Sequence, residues 1–142
     1  MNIDMIGPAI VLGLGCMGSA IGCGIGGMAS HGVMSRVDEN HGKFIIMSAI
    51  ASTQAIYAFL LMLIMKGAIQ AKTLSAEAAI GIGASVGFTI LISSIYQGMC
   101  AATGIQAVAK QPSIFGKCVA TLGIVESFSL FAFVFALLLI NG

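Results

Sequence analysis

Charged side chains are missing from four long stretches of this sequence, and no other feature limits its folding so strongly. Met5–Ser35, Phe44–Met65 and Ala78–Ala109 contain no Asp, Glu, Lys or Arg, and Cys118–Asn141 holds a single charge, Glu126. Three short polar loops, Arg36–Lys43, Lys66–Glu77 and Lys110–Lys117, separate them. Each stretch reaches the roughly 20 residues that cross a bilayer as a helix. The first and third exceed 30 residues, so those helices project beyond the hydrocarbon or tilt. With 8% charged and 58% hydrophobic residues, the chain cannot clothe a water-soluble globule, which carries about 25% charged residues. A net charge of +1 and the lack of any basic run give no electrostatic case for nucleic acid. The expectation is an all-α integral membrane protein with four transmembrane helices and no soluble domain. Met1–Met5 contains Asp4, has no Lys or Arg and runs into the first apolar stretch with no cleavage signal, so it reads as part of a retained first span.

The two halves repeat. Gly7, Gly13, Gly24, Gly42 and Lys43 recur 74 positions on as Gly81, Gly87, Gly98, Gly116 and Lys117. A slip of two then sets Gln54 opposite Glu126, 72 apart. The chain therefore reads as a tandem duplicated helical hairpin. Residues 1–72 form the first, with spans at about 5–35 and 43–66, and residues 73–142 the second, with spans at about 77–109 and 117–141. Joining two spans to two spans of the same polarity makes the repeat parallel, unlike the inverted halves of many secondary transporters. Loops one and three hold four basic residues, Arg36, Lys43, Lys110 and Lys117, against Lys66 and Lys72 in loop two. The bias puts loops 36–43 and 110–117 in the cytoplasm and both termini outside.

Glycines crowd spans one and three. Gly13-Leu-Gly15-Cys-Met-Gly18 and Gly22-Cys-Gly24-Ile-Gly26-Gly27 both match the GxGxxG nucleotide pattern. That pattern requires a strand before it and an acid about 20 residues on, and neither is present. The better reading is close helix packing through Gly18, Gly22, Gly24 and Gly26 in span one and Gly83 and Gly87 in span three. Spans one and three then form a crowded inner layer, and two and four a lipid-facing outer one. Cys16, Cys23, Cys100 and Cys118 show neither CxxC nor metal spacing and read as small packing residues. His31 and His41 lie near loop one and read as surface residues.

Glu126 decides function. It stands near the middle of an apolar helix, where an ionised carboxylate is costly and marks a functional site by default. Thr53 and Gln54 lie at mid-depth in span two, Tyr57 follows on nearly the same face, and Gln97 lies deep in span three. Hydroxyl, amide and carboxylate oxygens are the donors that small hard cations take. One carboxylate matches one monovalent charge.

Ser52-Thr53-Gln54-Ala55-Ile56-Tyr57, Tyr96-Gln97-Gly98 and Val125-Glu126-Ser127-Phe128, together with the repeat length and the single acid, carry a resemblance across the whole chain. It resembles the duplicated four-helix proteolipid, the K or c component, of bacterial V/A-type rotary ATPases. The resemblance implies a rotor ring of many copies, turning in lipid against a static membrane subunit, with a central-stalk subunit on the cytoplasmic loops. It implies that Glu126 carries the ion and that Thr53, Gln54, Gln97 and the Ile50 carbonyl supply further sodium ligands. Tyr57 would hold the carboxylate by a hydrogen bond. Sodium-type relatives often have Pro-Gly before Thr-Gln, and this chain has Ala51-Ser52. A proline would break the helix ladder and free a carbonyl, so its absence weakens the case for Ile50. The expected cargo is sodium, with protons alone as the alternative and no organic cofactor. The chain holds no nucleotide site or catalytic pair and reads as a transport component rather than an enzyme. Two other classes compete with the rotor: a small proton-coupled transporter, and a structural pore without ion chemistry.

Overall fold

A computed structural model describes residues 3–142, so the reading of Met1 and Asn2 lies outside the described residues. Among those described, every regular element is helical. A short 3-10 turn, Ile3–Met5, leads into α1 (Ile6–Met34). The second span is made of α2 (His41–Ala49), a 3-10 turn at Ile50–Ser52 and α3 (Thr53–Gln70). The third is α4 (Ala76–Lys110), and the fourth is α5 (Phe115–Asn141), entered through a 3-10 turn at Pro112–Ile114. All four spans are long and apolar enough to cross a membrane. At 1.5 Å per residue α4 is about 52 Å long, well beyond the roughly 30 Å of hydrocarbon.

Local chemistry sets the reversals. Asn40 and Lys72 take left-handed backbone at φ 65° and 59°, one before α2 and one after α3. The Ser75 side chain accepts the Ala78 amide at 3.2 Å and caps α4, satisfying a donor that the first helical turn leaves free. Lys43 stands 5.6 Å above the Phe115 ring and ties the start of the second span to the start of the fourth.

Helices α1 and α4 form the tight inner pair. A methyl group added to Gly7 would strike the Ala79 backbone, one on Gly83 would strike Gly7, and one on Gly98 would strike Gly22. On Gly18 it would come within 2.7 Å of the Leu91 Cα. The partner numbers rise together along both helices, so α1 and α4 run parallel, as a parallel duplication requires. Of the glycines expected to pack, Gly18, Gly22 and Gly83 meet the opposite inner helix. Gly87 meets Leu14 and Val11, and Gly26 meets Ser48 of the second span. Gly24 does not join them, since a methyl there meets nothing within 4 Å. It lies two residues from Gly22 and Gly26, which puts it on the opposite side of α1. Gly7, Gly15, Gly98 and Gly104, outside the expected packing set, are all closely approached as well. Both GxGxxG matches sit inside the unbroken helix α1, without the turn that a phosphate loop needs.

Helices α3 and α5 pack against this pair and present exposed Ile56, Phe59, Leu63, Phe128, Phe131 and Phe135. Two apolar clusters fill the interior. One holds Val11, Leu61, Met65 and Ile90, the other Phe44, Met47, Ile105 and Leu122. Between them lies a polar belt partway along the spans, where Gln54, Gln97, Ser94 and Ser129 are wholly buried.

Candidate functional site

The belt is organised around a break in the second span. At Ile50–Ser52 the helix tightens to 3-10 geometry without any proline. Hydroxyls gather on the carbonyls there: Ser19 of α1 and Ser94 of α4 both donate to the Ala51 carbonyl, at 2.8 and 3.1 Å, and Ser52 donates to the Ala49 carbonyl at 2.7 Å. Hydroxyls from two other helices thus serve a carbonyl at the break. The missing proline argued against a distortion here, and the distortion is present. The Ile50 carbonyl, however, accepts the Thr53 hydroxyl at 2.8 Å as well as the Thr53 amide.

The break starts α3 at Thr53, and from there the side chains converge on α5. Tyr57 donates to Glu126 Oε1 at 2.9 Å, and the Thr53 hydroxyl meets the same oxygen. Gln97 reaches Glu126 Oε2 with Nε2 at 3.4 Å, and the same nitrogen donates to the Leu122 carbonyl at 3.1 Å. Gln54 donates through Nε2 to Gln97 Oε1 at 2.7 Å, and its own Oε1 accepts the Ser129 hydroxyl. Ser93 donates to the Val125 carbonyl at 2.9 Å, fixing α5 beside α4 one residue before the carboxylate. Among the described residues no buried side-chain nitrogen or oxygen lacks a partner.

The fold therefore brings together Thr53, Gln54, Tyr57, Gln97 and Glu126 from three spans. Ile50 is joined to the set through Thr53. Tyr96, which shares a motif with Gln97, is 59% exposed and turned away from the site. Sequence reasoning missed Ser129, Ser93, Ser94 and Ser19. Ser129 had a readable signal, since it lies three residues after Glu126 on the same helix face and matches Tyr57 at the 72-residue offset. The others had none.

Chemically, two hydroxyls and the Gln97 amide nitrogen meet one part-buried carboxylate, while the amide oxygens of Gln97 and Gln54 accept from Gln54 and Ser129. No three His, Cys, Asp or Glu residues come together among the described residues, so the donor set is hard and carries one formal negative charge. Such a set suits one dehydrated monovalent cation, or one proton.

Comparison with known proteins agrees with the duplication. The family of the ATP synthase C subunit matches residues 6–65 and again residues 80–139. The A-type ATP synthase subunit K of Methanocaldococcus jannaschii is 33% identical over 140 residues, covering 99% of this chain and 62% of that protein. The V-type sodium ATPase subunit K of Enterococcus hirae is 31% identical over 126 residues, covering 87% of this chain and 81% of that one. The chain thus spans less than two thirds of the length of the first relative.

Proposed function

The chain belongs to the family of the ATP synthase C subunit, and on that premise we propose that it is an ion-carrying rotor component in the membrane sector of a V/A-type ATPase or synthase, with sodium as cargo on Glu126. The observation that carries this reading is the convergence of Thr53, Tyr57 and Gln97 on one mid-membrane carboxylate, inside a duplicated four-span fold. Thr53, Gln54 and Gln97 supply the neutral oxygens that replace the ion's water, and Glu126 supplies the charge. Tyr57 steadies the carboxylate. The Ile50 carbonyl joins the set when the Thr53 hydroxyl releases it.

The mechanism follows from the energetics of exposure to lipid. An ionised carboxylate at the bilayer centre costs roughly 2.5 kcal/mol or more, whereas a neutralised one does not. A ring of these chains can therefore turn through lipid only with every Glu126 loaded. Unloading requires an aqueous path at a static partner subunit, where a fixed positive charge would displace the ion. The chain contributes no chemistry on ATP. Copies of itself, the static subunit, a central-stalk subunit and lipid are its partners. Loops 36–43 and 110–117 face the cytoplasm and both termini face outside, as four basic residues against two favour. The two hairpins, residues 1–72 and 73–142, meet between Lys72 and Thr73. The sodium assignment draws support from the oxygen count and from the name of the Enterococcus hirae relative.

A second reading, the same rotor carrying protons, is favoured by one observation. The Thr53 hydroxyl lies within hydrogen-bonding reach of both the Ile50 carbonyl and Glu126, and it has one hydrogen to give. A protonated Glu126 would supply the second. Carbodiimide modification separates the two, since it needs a protonated carboxyl and sodium needs an ionised one. At fixed pH, sodium should protect Glu126, and Gln54→Ala or Gln97→Ala should raise the sodium concentration required. Labelling that follows pH and ignores sodium would assign the site to protons.

A further inference from the structure

The buried amides beside Glu126 form a chain of hydrogen bonds that runs in one direction. The Ser129 hydroxyl donates to Gln54 Oε1, and Gln54 Nε2 donates to Gln97 Oε1 at 2.7 Å. Gln97 Nε2 then donates to the Leu122 carbonyl at 3.1 Å and reaches Glu126 Oε2 at 3.4 Å. The direction is fixed from the far end. A backbone carbonyl has no hydrogen to give, so the Gln97 nitrogen must face Leu122 and its oxygen must face Gln54. That oxygen takes the Gln54 nitrogen as its donor, which leaves Gln54 Oε1 to Ser129. All three side chains are wholly buried, so a mismatched pair has no bulk water to turn to.

In this direction the chain of bonds suits a bare carboxylate and not a cation. An amide N–H points at Glu126, and both amide oxygens are held by other donors. A sodium ion on Glu126 would face the hydrogens of Gln97. Gln97 can present its oxygen by turning its terminal amide half a turn, about a torsion with two broad minima. Doing so alone sets the Gln97 nitrogen against the Gln54 nitrogen, donor against donor. Gln54 must turn with it, and its own nitrogen then faces Ser129. A hydroxyl answers both arrangements, because it holds one hydrogen and two lone pairs. Ser129 donates in the first and accepts in the second, where its hydrogen goes to a carbonyl one turn back on α5.

From this, and resting on the sodium reading above, we propose that Ser129 is a positioning residue for the ion. It lets the Gln54 and Gln97 amides turn over together when sodium displaces the Gln97 N–H from Glu126. Ser129 bonds Gln54 and acts on the ion through two amides. Alanine in its place has no lone pair for the turned Gln54 nitrogen. An orphaned buried N–H is tolerated less often than an under-used carbonyl. Ser129→Ala therefore favours the direction already present and holds the amide oxygens away from the ion.

The test reads the amides directly. The full chain, reconstituted in lipid, carries glutamine labelled with heavy carbon at the side-chain carbonyl. Infrared difference spectra are taken between sodium and choline buffers at one pH. Isotope-sensitive bands of both buried glutamines should move, assigned by their loss in Gln54→Met and Gln97→Met. In Ser129→Ala these shifts, and protection of Glu126 from carbodiimide, should need about fivefold more sodium. In a Gln54→Met background Ser129→Ala should add nothing, since the serine acts through that amide. A serine that only packs α5 would weaken protection equally in both backgrounds, and that outcome would overturn the proposal. So would sodium protection of Glu126 without movement of the glutamine bands, a result that leaves the sodium reading standing. Absence of both protection and band movement would remove the sodium reading and the turning amides together.

Discussion

The two halves differ most where they are most alike in position. Gln54 and Glu126 occupy matching sites on the second and fourth spans, yet one is an amide and the other an acid. Their neighbours differ in a complementary way: Thr53 matches Val125, and Tyr57 matches Ser129. The first hairpin has the donors without the charge, and the second has the charge without most of the donors. Folding superposes the two sets, so that Thr53 and Tyr57 serve Glu126 while Ser129 serves Gln54. Duplication thus yields one asymmetric site per four helices in place of two symmetric ones. The neutral half supplies hydrogen-bond donors to the acid of the charged half.

Removing the one charge should have the largest effect on that contrast. Glu126→Gln makes the halves equally neutral while keeping shape and hydrogen bonding, so coupled ion transport should vanish and the assembly persist. Normal transport in reconstituted vesicles would mean that the asymmetry has no functional weight. A smaller effect follows from making the first half resemble the second. Thr53→Val copies Val125 and removes a hydrogen bond to a charged group, an interaction of about 1.5–3 kcal/mol. The sodium concentration that protects Glu126 should rise about tenfold or more. The smallest change acts on the support of the amide. Ser129→Ala frees Gln54 Oε1 from its only hydroxyl donor, a neutral hydrogen bond of about 1 kcal/mol, and should weaken protection by about fivefold. No change with Ser129→Ala, measured beside Gln54→Ala, would show that Gln54 is held by Gln97 alone.

Much of this was legible from the chain. Gaps between charges reveal the spans because a bilayer rejects charge and leaves few other signals to weigh. Glu126, Thr53, Gln54, Tyr57 and Gln97 were legible because polar groups stand out in apolar helices. The serines were not. Ser48, Ser52, Ser85 and Ser127 each turn back onto a carbonyl of their own span, while Ser19, Ser93 and Ser94 reach across to another. Nothing local separates the two behaviours, because a hydroxyl bonds whichever carbonyl lies near. The break at Ile50–Ser52 was hidden for the same reason, since two of the hydroxyls bonded there come from α1 and α4. Composition misplaces Gly24 where periodicity corrects it. Spacings of four keep Gly18, Gly22 and Gly26 on one stripe, and a step of two leaves it.

The complete pairing of buried polar groups also bears on how such a chain is made. Helices emerge in sequence during synthesis, and a polar side chain arriving in lipid without a partner is costly. Glu126 sits on the fourth span, and the residues described as bonding its carboxylate, Thr53, Tyr57 and Gln97, belong to spans translated earlier. The acid therefore enters a bilayer in which Thr53, Tyr57 and Gln97 have already been laid down. Reversing the order of the two hairpins would leave the finished contacts the same and send the acid in before its Thr and Tyr donors.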